Sequence, residues 1–165
     1  PAMSVAVGEA PEFFASFFSP PSTGLRLIHY PALAPEQSSD TLGIGAHTDY
    51  GFLTLLAQDE IGGLEVRGVD GSWNQVPPKP GALVVNIGDV MARWTNDVFN
   101  STPHRVRVNT SGRDRYSIAM FFDPNVKSEI QCIDAFLDAA PASHPSIRYG
   151  DYFQMRLDAN FPERG

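Results

Sequence analysis

Cysteine is almost missing from this 165-residue chain. A lone Cys132 excludes an intrachain disulfide framework and any cysteine-rich zinc module. Also missing is an apolar run near the ~20 residues that a membrane-spanning helix requires, since runs such as 81–87 fall far short. A formal net charge of −7 without a basic block argues against nucleic acid or an anionic membrane surface as partner. Residues 1–10 lack a basic stretch followed by an apolar core, so no signal peptide is visible and a cytoplasmic setting is expected. The oligomeric state is left open.

What is present is enough hydrophobic material, 42%, to build the core of one domain. Fourteen Gly and fourteen Pro exceed the roughly 12% of average usage, which favours short elements joined by many turns. β-Branched and aromatic residues bounded by turn signals predict strands over 25–30, 52–57, 64–67, 73–76, 82–87, 104–108, 116–122 and 129–133. Strands at that spacing suggest a mainly β sandwich or a barrel-like jelly roll. The turn Val69-Asp70-Gly71-Ser72 predicts a hairpin over 64–76. The continuous apolar run 82–87 predicts a strand covered on both faces, and Gly88-Asp89 after it reads as a turn. Trp94 reads as a structural anchor and Cys132 as a packed thiol.

Phe13, Phe14, Phe17 and Phe18 form one stripe of a short helix between Pro11 and Pro20-Pro21. With nothing before it, the stripe predicts a preceding region to pack against. Tyr149, Tyr152, Phe153, Arg156 and Leu157 recur at helical spacing within 146–161. The expected organisation is therefore a helical lead-in over 1–24, a β domain over 25–145, and a C-terminal helix over 146–165 packed on it.

His47 and Asp49 stand two apart in Gly45-Ala46-His47-Thr48-Asp49, and in extended chain such residues share a face. A second histidine, His104, follows Pro103 at the start of an extended stretch. Two imidazoles and one carboxylate on one side of a metal leave open positions and suit Fe(II). Alone, a His-x-Asp is weak, and a surface His–Asp pair or a core histidine bonded to a carbonyl is the bland alternative. Eleven residues after His104, Arg115 and Ser117 share one face of the next strand. An inward Arg is costly unless it meets an anion, and its planar fork suits a carboxylate. Pairing with Asp89 or another internal Asp is the structural alternative. His29 is expected to face away from the pocket, and His144 to lie in a solvated loop.

His47-x-Asp49, His104 and Arg115-x-Ser117, in this order and spacing, resemble the iron- and 2-oxoglutarate-dependent dioxygenases of the isopenicillin N synthase-like family. The stretches Leu25-Arg26-Leu27-Ile28-His29-Tyr30-Pro31, Gly81 to Asp89 and Tyr116 to Pro124 match locally. One departure is Ile28-His29-Tyr30-Pro31, where many members have Asn-Tyr-Tyr-Pro. Members are usually near twice this length, so the chain resembles their C-terminal catalytic half, a double-stranded β-helix. The resemblance implies Fe(II) held by His47, Asp49 and His104, with O2 as oxidant. It also implies 2-oxoglutarate whose far carboxylate meets Arg115 and Ser117, with a hydrogen bond from Tyr30. Its products would be succinate, CO2 and a hydroxylated, desaturated or cyclised small molecule.

With that site in place, strand parity adds substrate candidates. Arg26 shares the face of Tyr30, while Phe121 and Asp123 share the face of Arg115. Arg26 is then an anchor for an acidic or phenolic substrate, Phe121 an apolar wall and Asp123 an acceptor at the rim. Three alternatives stay open: an iron oxidase of the same fold without 2-oxoglutarate, some relatives drawing electrons from ascorbate; a metal-dependent hydrolase; and a non-catalytic binding domain.

Overall fold

Period-two alternation is plainest in β8 (Arg115–Asp123), where Arg115, Ser117, Ala119 and Asp123 are buried while Tyr116, Ile118 and Met120 face out. The structure, a computed structural model, describes residues 1–34, 42–138 and 140–160. β8 pairs antiparallel with β1 (Ser22–Tyr30) on one side and β3 (Leu53–Gln58) on the other, and β3 pairs with β6 (Val84–Ile87). The second sheet runs β2 (Leu42–His47), β7 (His104–Arg107), β4 (Leu64–Arg67), β5 (Trp73–Gln75), again antiparallel. Tyr30, Leu56 and Ala119 of one sheet pack with Leu64 and Val106 of the other. The two sheets thus close over a shared apolar interior as a jelly roll, the double-stranded β-helix expected from the sequence. The predicted 64–76 hairpin is present as β4–β5.

A second core lies beyond one end of the sheets. Trp94, 1% exposed, closes the short helix α2 (Asp89–Trp94), where a mere turn was expected at Gly88-Asp89. The Thr95 hydroxyl donates to the Met91 carbonyl, and Asn96 and Asp97 at positive φ end that helix. The Phe stripe meets a surface within the chain. Its last turn is a 3-10 helix over Ala15–Phe18, following a helix α1 (Ala2–Ala6) that the sequence reading missed. Phe14 packs 4.8 Å from Trp94 and 5.3 Å from Phe52, and Phe18 stacks on Phe122 at 4.8 Å. The stripe binds the lead-in onto α2 and the β-sheet end.

The apolar run 82–87 is not covered on both faces. β6 is the edge of its sheet, and Leu83 and Val85 are exposed. Val85 continues a rung through Leu55 and Met120 to Leu25, so that rung of the sheet's outer face is apolar, and Leu27 beside it is 72% exposed. The expected strand 129–133 shortens to β9 (Glu129–Ile130), paired with β10 (Ile147–Arg148). The C-terminal helix α3 (Tyr149–Asn160) therefore starts three residues later than predicted, because its first residues are drawn into that ladder. Residues 161–165 of the expected helix lie outside the described residues. Among the described residues, no helix is long and apolar enough to cross a membrane.

Candidate metal centre

β2 ends at His47 and β7 begins at His104, and these two are direct partners across the ladder. Their rings lie 4.3 Å apart, tilted by 55°. Each Nδ1 reaches the carbonyl two residues earlier, His47 to Gly45 at 2.8 Å and His104 to Thr102 at 3.1 Å. A carbonyl only accepts, so both Nδ1 atoms carry the proton and both Nε2 atoms keep a free lone pair. Asp49 follows in the turn after β2 and brings Oδ1 to 3.6 Å from His104 Nε2. One ligand atom from each of His47, Asp49 and His104 lies within 4.8 Å of the others. Asp49 is 8% exposed and its Oδ2 has no hydrogen-bond partner among the described residues. A buried carboxylate oxygen left unpaired is costly, and a cation in front of it removes the cost. The donor set and this orphan oxygen fit a divalent iron with two nitrogen ligands and one oxygen ligand.

The turn that carries Asp49 is held by close backbone contact. The Asp89 amide donates to the Asp49 carbonyl at 2.8 Å, and the Gly88 amide to Phe52 at 2.9 Å. A side chain at position 88 would put its Cβ 2.2 Å from the Gly51 carbonyl oxygen, so only glycine allows the approach.

Arg115, 1% exposed, comes into the same cavity from β8. Its Nε donates to the Gly62 carbonyl, whereas Nη1 and Nη2 are buried with no hydrogen-bond partner among the described residues. Its guanidinium stacks on Tyr30, and Ser117, two residues on, is buried beside it. The alternative partner proposed for Arg115, Asp89, is instead bonded to Arg156 of α3. Two unpaired guanidinium nitrogens in a dry pocket are matched to a planar anion such as a carboxylate. The residues present therefore fit 2-oxoglutarate as well as the metal.

Arg26 and Phe121 line this cavity, as parity predicts. Asp123 does not. Parity holds along β8, but the strand has run past the cavity by that point. There Asp123 accepts the Phe52 amide at 2.9 Å and the Tyr149 hydroxyl. Burial pushes its carboxyl above the ordinary value, against the pull of the Phe52 bond. Asp123 is a buried tether, not a rim acceptor. His29 is exposed, stacked on Tyr116 and bonded to Asp114, and His144 pairs with Asp97, so neither joins the site. Burial raises the Cys132 thiol, in keeping with a packed residue. Thr54 and Asn86, cross-strand partners on the cavity wall, escaped the sequence reading. A lone polar residue inside the apolar run 83–87 was the available signal for Asn86.

Comparison with known proteins agrees with this geometry. The family model of the 2OG-Fe(II) oxygenase superfamily matches residues 22–124. A probable iron/ascorbate oxidoreductase of Dictyostelium discoideum is 36% identical over 98% of this chain and 51% of its own length. A full-length Neurospora crassa protein in complex with alpha-KG superposes with a TM-score of 0.90 at 39% identity, covering 96% of this chain and 51% of that one. The same Neurospora protein with alpha-KG and thymine gives 0.89 at 38% identity, over 96% of this chain and 50% of that one. The chain thus spans about half the length of the relatives it matches.

Proposed function

The chain belongs to the 2OG-Fe(II) oxygenase superfamily, and from that premise we propose that it is the catalytic part of an Fe(II)- and 2-oxoglutarate-dependent oxygenase acting on a small molecule. His47 and His104 hold the iron through Nε2, and Asp49 through its carboxylate. Arg115 and Ser117 bind the far carboxylate of 2-oxoglutarate, and the Tyr30 hydroxyl adds a hydrogen bond. When bound, the iron with 2-oxoglutarate and O2 supplies oxidation of a substrate C–H bond, releasing succinate and CO2.

The chain's own part is orientation and exclusion of water. The carbonyls of Gly45 and Thr102 keep both imidazoles in the tautomer that presents Nε2 to the metal. The Gly62 carbonyl and the Tyr30 ring fix the Arg115 fork, so the cosubstrate meets a preset donor pair. Apolar Leu64, Val106 and Ala119 line the wall and keep the site dry. Arg26, exposed at the mouth, anchors an acidic or phenolic substrate against Phe121. The thymine complex of the Neurospora crassa protein supports a small-molecule substrate, and the net charge of −7 speaks against nucleic acid. A reducing cytoplasm, which keeps iron ferrous and Cys132 a thiol, is part of the same reading.

The observation that carries this reading is the pair of unpartnered Arg115 nitrogens in the same cavity as the ligand trio. Anaerobic titration with Fe(II) and then 2-oxoglutarate tests it, followed by admission of O2. The expected result is a visible metal-to-ligand charge-transfer band and then succinate. No band and no succinate would refute it, and turnover with Zn(II) under nitrogen would put a hydrolase in its place.

A further inference from the structure

The turn that bears His47 and Asp49 is gripped by side chains outside the cavity, none of which the reaction itself uses. At their centre is Arg156 of α3. Its Nη1 pairs with Asp89 and donates to the Tyr152 hydroxyl at 3.1 Å, while its Nη2 donates to the Thr48 hydroxyl at 3.3 Å. Thr48 is the residue between His47 and Asp49, and it also donates to Asp89 Oδ2 at 3.4 Å. The guanidinium carbon lies 4.5 Å over the ring of Tyr50, the residue after Asp49. Tyr50 meets Phe153 edge-on, and its hydroxyl accepts from Asn160, so a second and a third residue of α3 hold it. Asp89 closes the loop through its backbone amide, which donates to the Asp49 carbonyl.

An ion pair between Arg156 and Asp89 would by itself be enough to fasten α3 to α2. The second arm does something else. It runs into the three-residue span from which two of the three ligands project. A ligand set binds its ion tightly only when its side chains are held to within about 0.5 Å, and loss of an outer partner costs typically 10–100-fold in affinity. A planar fork meets Asp89 and Thr48 through two different nitrogens while its flat face lies on the Tyr50 ring, a combination that the point charge of an ammonium does not reproduce.

We propose that Arg156 is a positioning residue for the metal centre: through Thr48 and Tyr50 it fixes the turn bearing His47 and Asp49, so the C-terminal helix sets how tightly the site holds its ion. This rests on the reading that His47, Asp49 and His104 bind the metal.

The test is titration of the full chain with Co(II) alone, followed by the ligand-field absorption, with thermal unfolding measured in parallel. Thr48→Val is the deciding variant, because it removes the direct hydrogen bond between Arg156 and the ligand turn and leaves the Arg156–Asp89 pair in place. It should keep the parent's unfolding midpoint, bind Co(II) roughly tenfold more weakly and change the ligand-field spectrum. Relative to Arg156→Ala, Arg156→Lys should recover stability by neutralising Asp89 but not affinity, whereas a merely structural ion pair would recover both. A parent that binds Co(II) with Thr48→Val within about threefold of it would overturn the proposal and leave the metal reading standing. Full recovery of affinity by lysine would overturn the part assigned to Arg156. A parent that binds no Co(II) would overturn the metal reading, and this one with it.

Discussion

The guanidinium carbon of Arg115 lies 4.4 Å from the centre of the Tyr30 ring, and the two residues are direct partners across the β1–β8 ladder. Stacking occupies one face of the fork and the Gly62 carbonyl takes Nε. Among the described residues, the outer edge, Nη1 and Nη2, is left without a hydrogen-bond partner. An arginine so arranged has two donors to offer a planar anion, whereas an ordinary structural arginine spends them on the protein.

Arg115→Lys keeps the charge and loses the two-pronged edge. Charge-assisted hydrogen bonds contribute about 1.5–3 kcal/mol, so the 2-oxoglutarate dissociation constant should rise by about tenfold or more while Fe(II) affinity stays near that of the parent. The anaerobic charge-transfer titration reads both. An unaltered 2-oxoglutarate constant would remove Arg115 from the cosubstrate site.

Arg26→Ala should act on the substrate alone. With the anchor gone, KM for an acidic substrate should rise by about tenfold, and succinate formed without substrate should be largely unchanged. A parallel fall in that uncoupled turnover would mean that Arg26 supports the cosubstrate instead.

Asp123 offers a pH signature. Its folded carboxyl is raised by burial above the ordinary 3.8, so the folded state holds this proton more tightly than the unfolded chain. The stability it adds by protonation is complete below the unfolded value and is lost as pH climbs through the folded one. Asp123→Asn lacks that dependence, so its stability deficit relative to the parent should be smaller at pH 7 than at pH 4. Denaturant unfolding at the two pH values measures it, and an equal deficit at both would contradict the raised carboxyl.

Phe14→Ala tests the lead-in. Phe14 is buried between Trp94 and Phe52, and truncating a buried Phe costs typically about 3–5 kcal/mol. A cost within about 1 kcal/mol by denaturant unfolding would show that 1–21 contributes little to the domain.

The His47-x-Asp49 and Arg115-x-Ser117 pairs and most strand positions were legible in the linear order of residues, because period-two alternation and short-range spacing are properties of the local backbone. That His104 joins His47 was legible only as a resemblance in order and spacing. His47 and Asp49 share a face for a reason that two peptide units suffice to state. The same parity put Arg26 and Phe121 on the cavity wall. It failed at Asp123, since parity names the face of a strand but not what lies over it, and there Phe52 and Tyr149 do.

Other features belong to the folded chain alone. An apolar run such as 82–87 reads the same in a central strand and at an edge, and only pairing with β3 on one side made β6 an edge. The Phe stripe was visible, but not that Trp94 and Phe122, far along the chain, would receive it. Arg156 reaches Thr48 across 108 positions, and no local rule joins them. Backbone geometry settles which side chains can converge over a few residues. Which distant surfaces then meet is decided by how the whole chain buries its apolar area, and that information exists only once the chain has closed on itself.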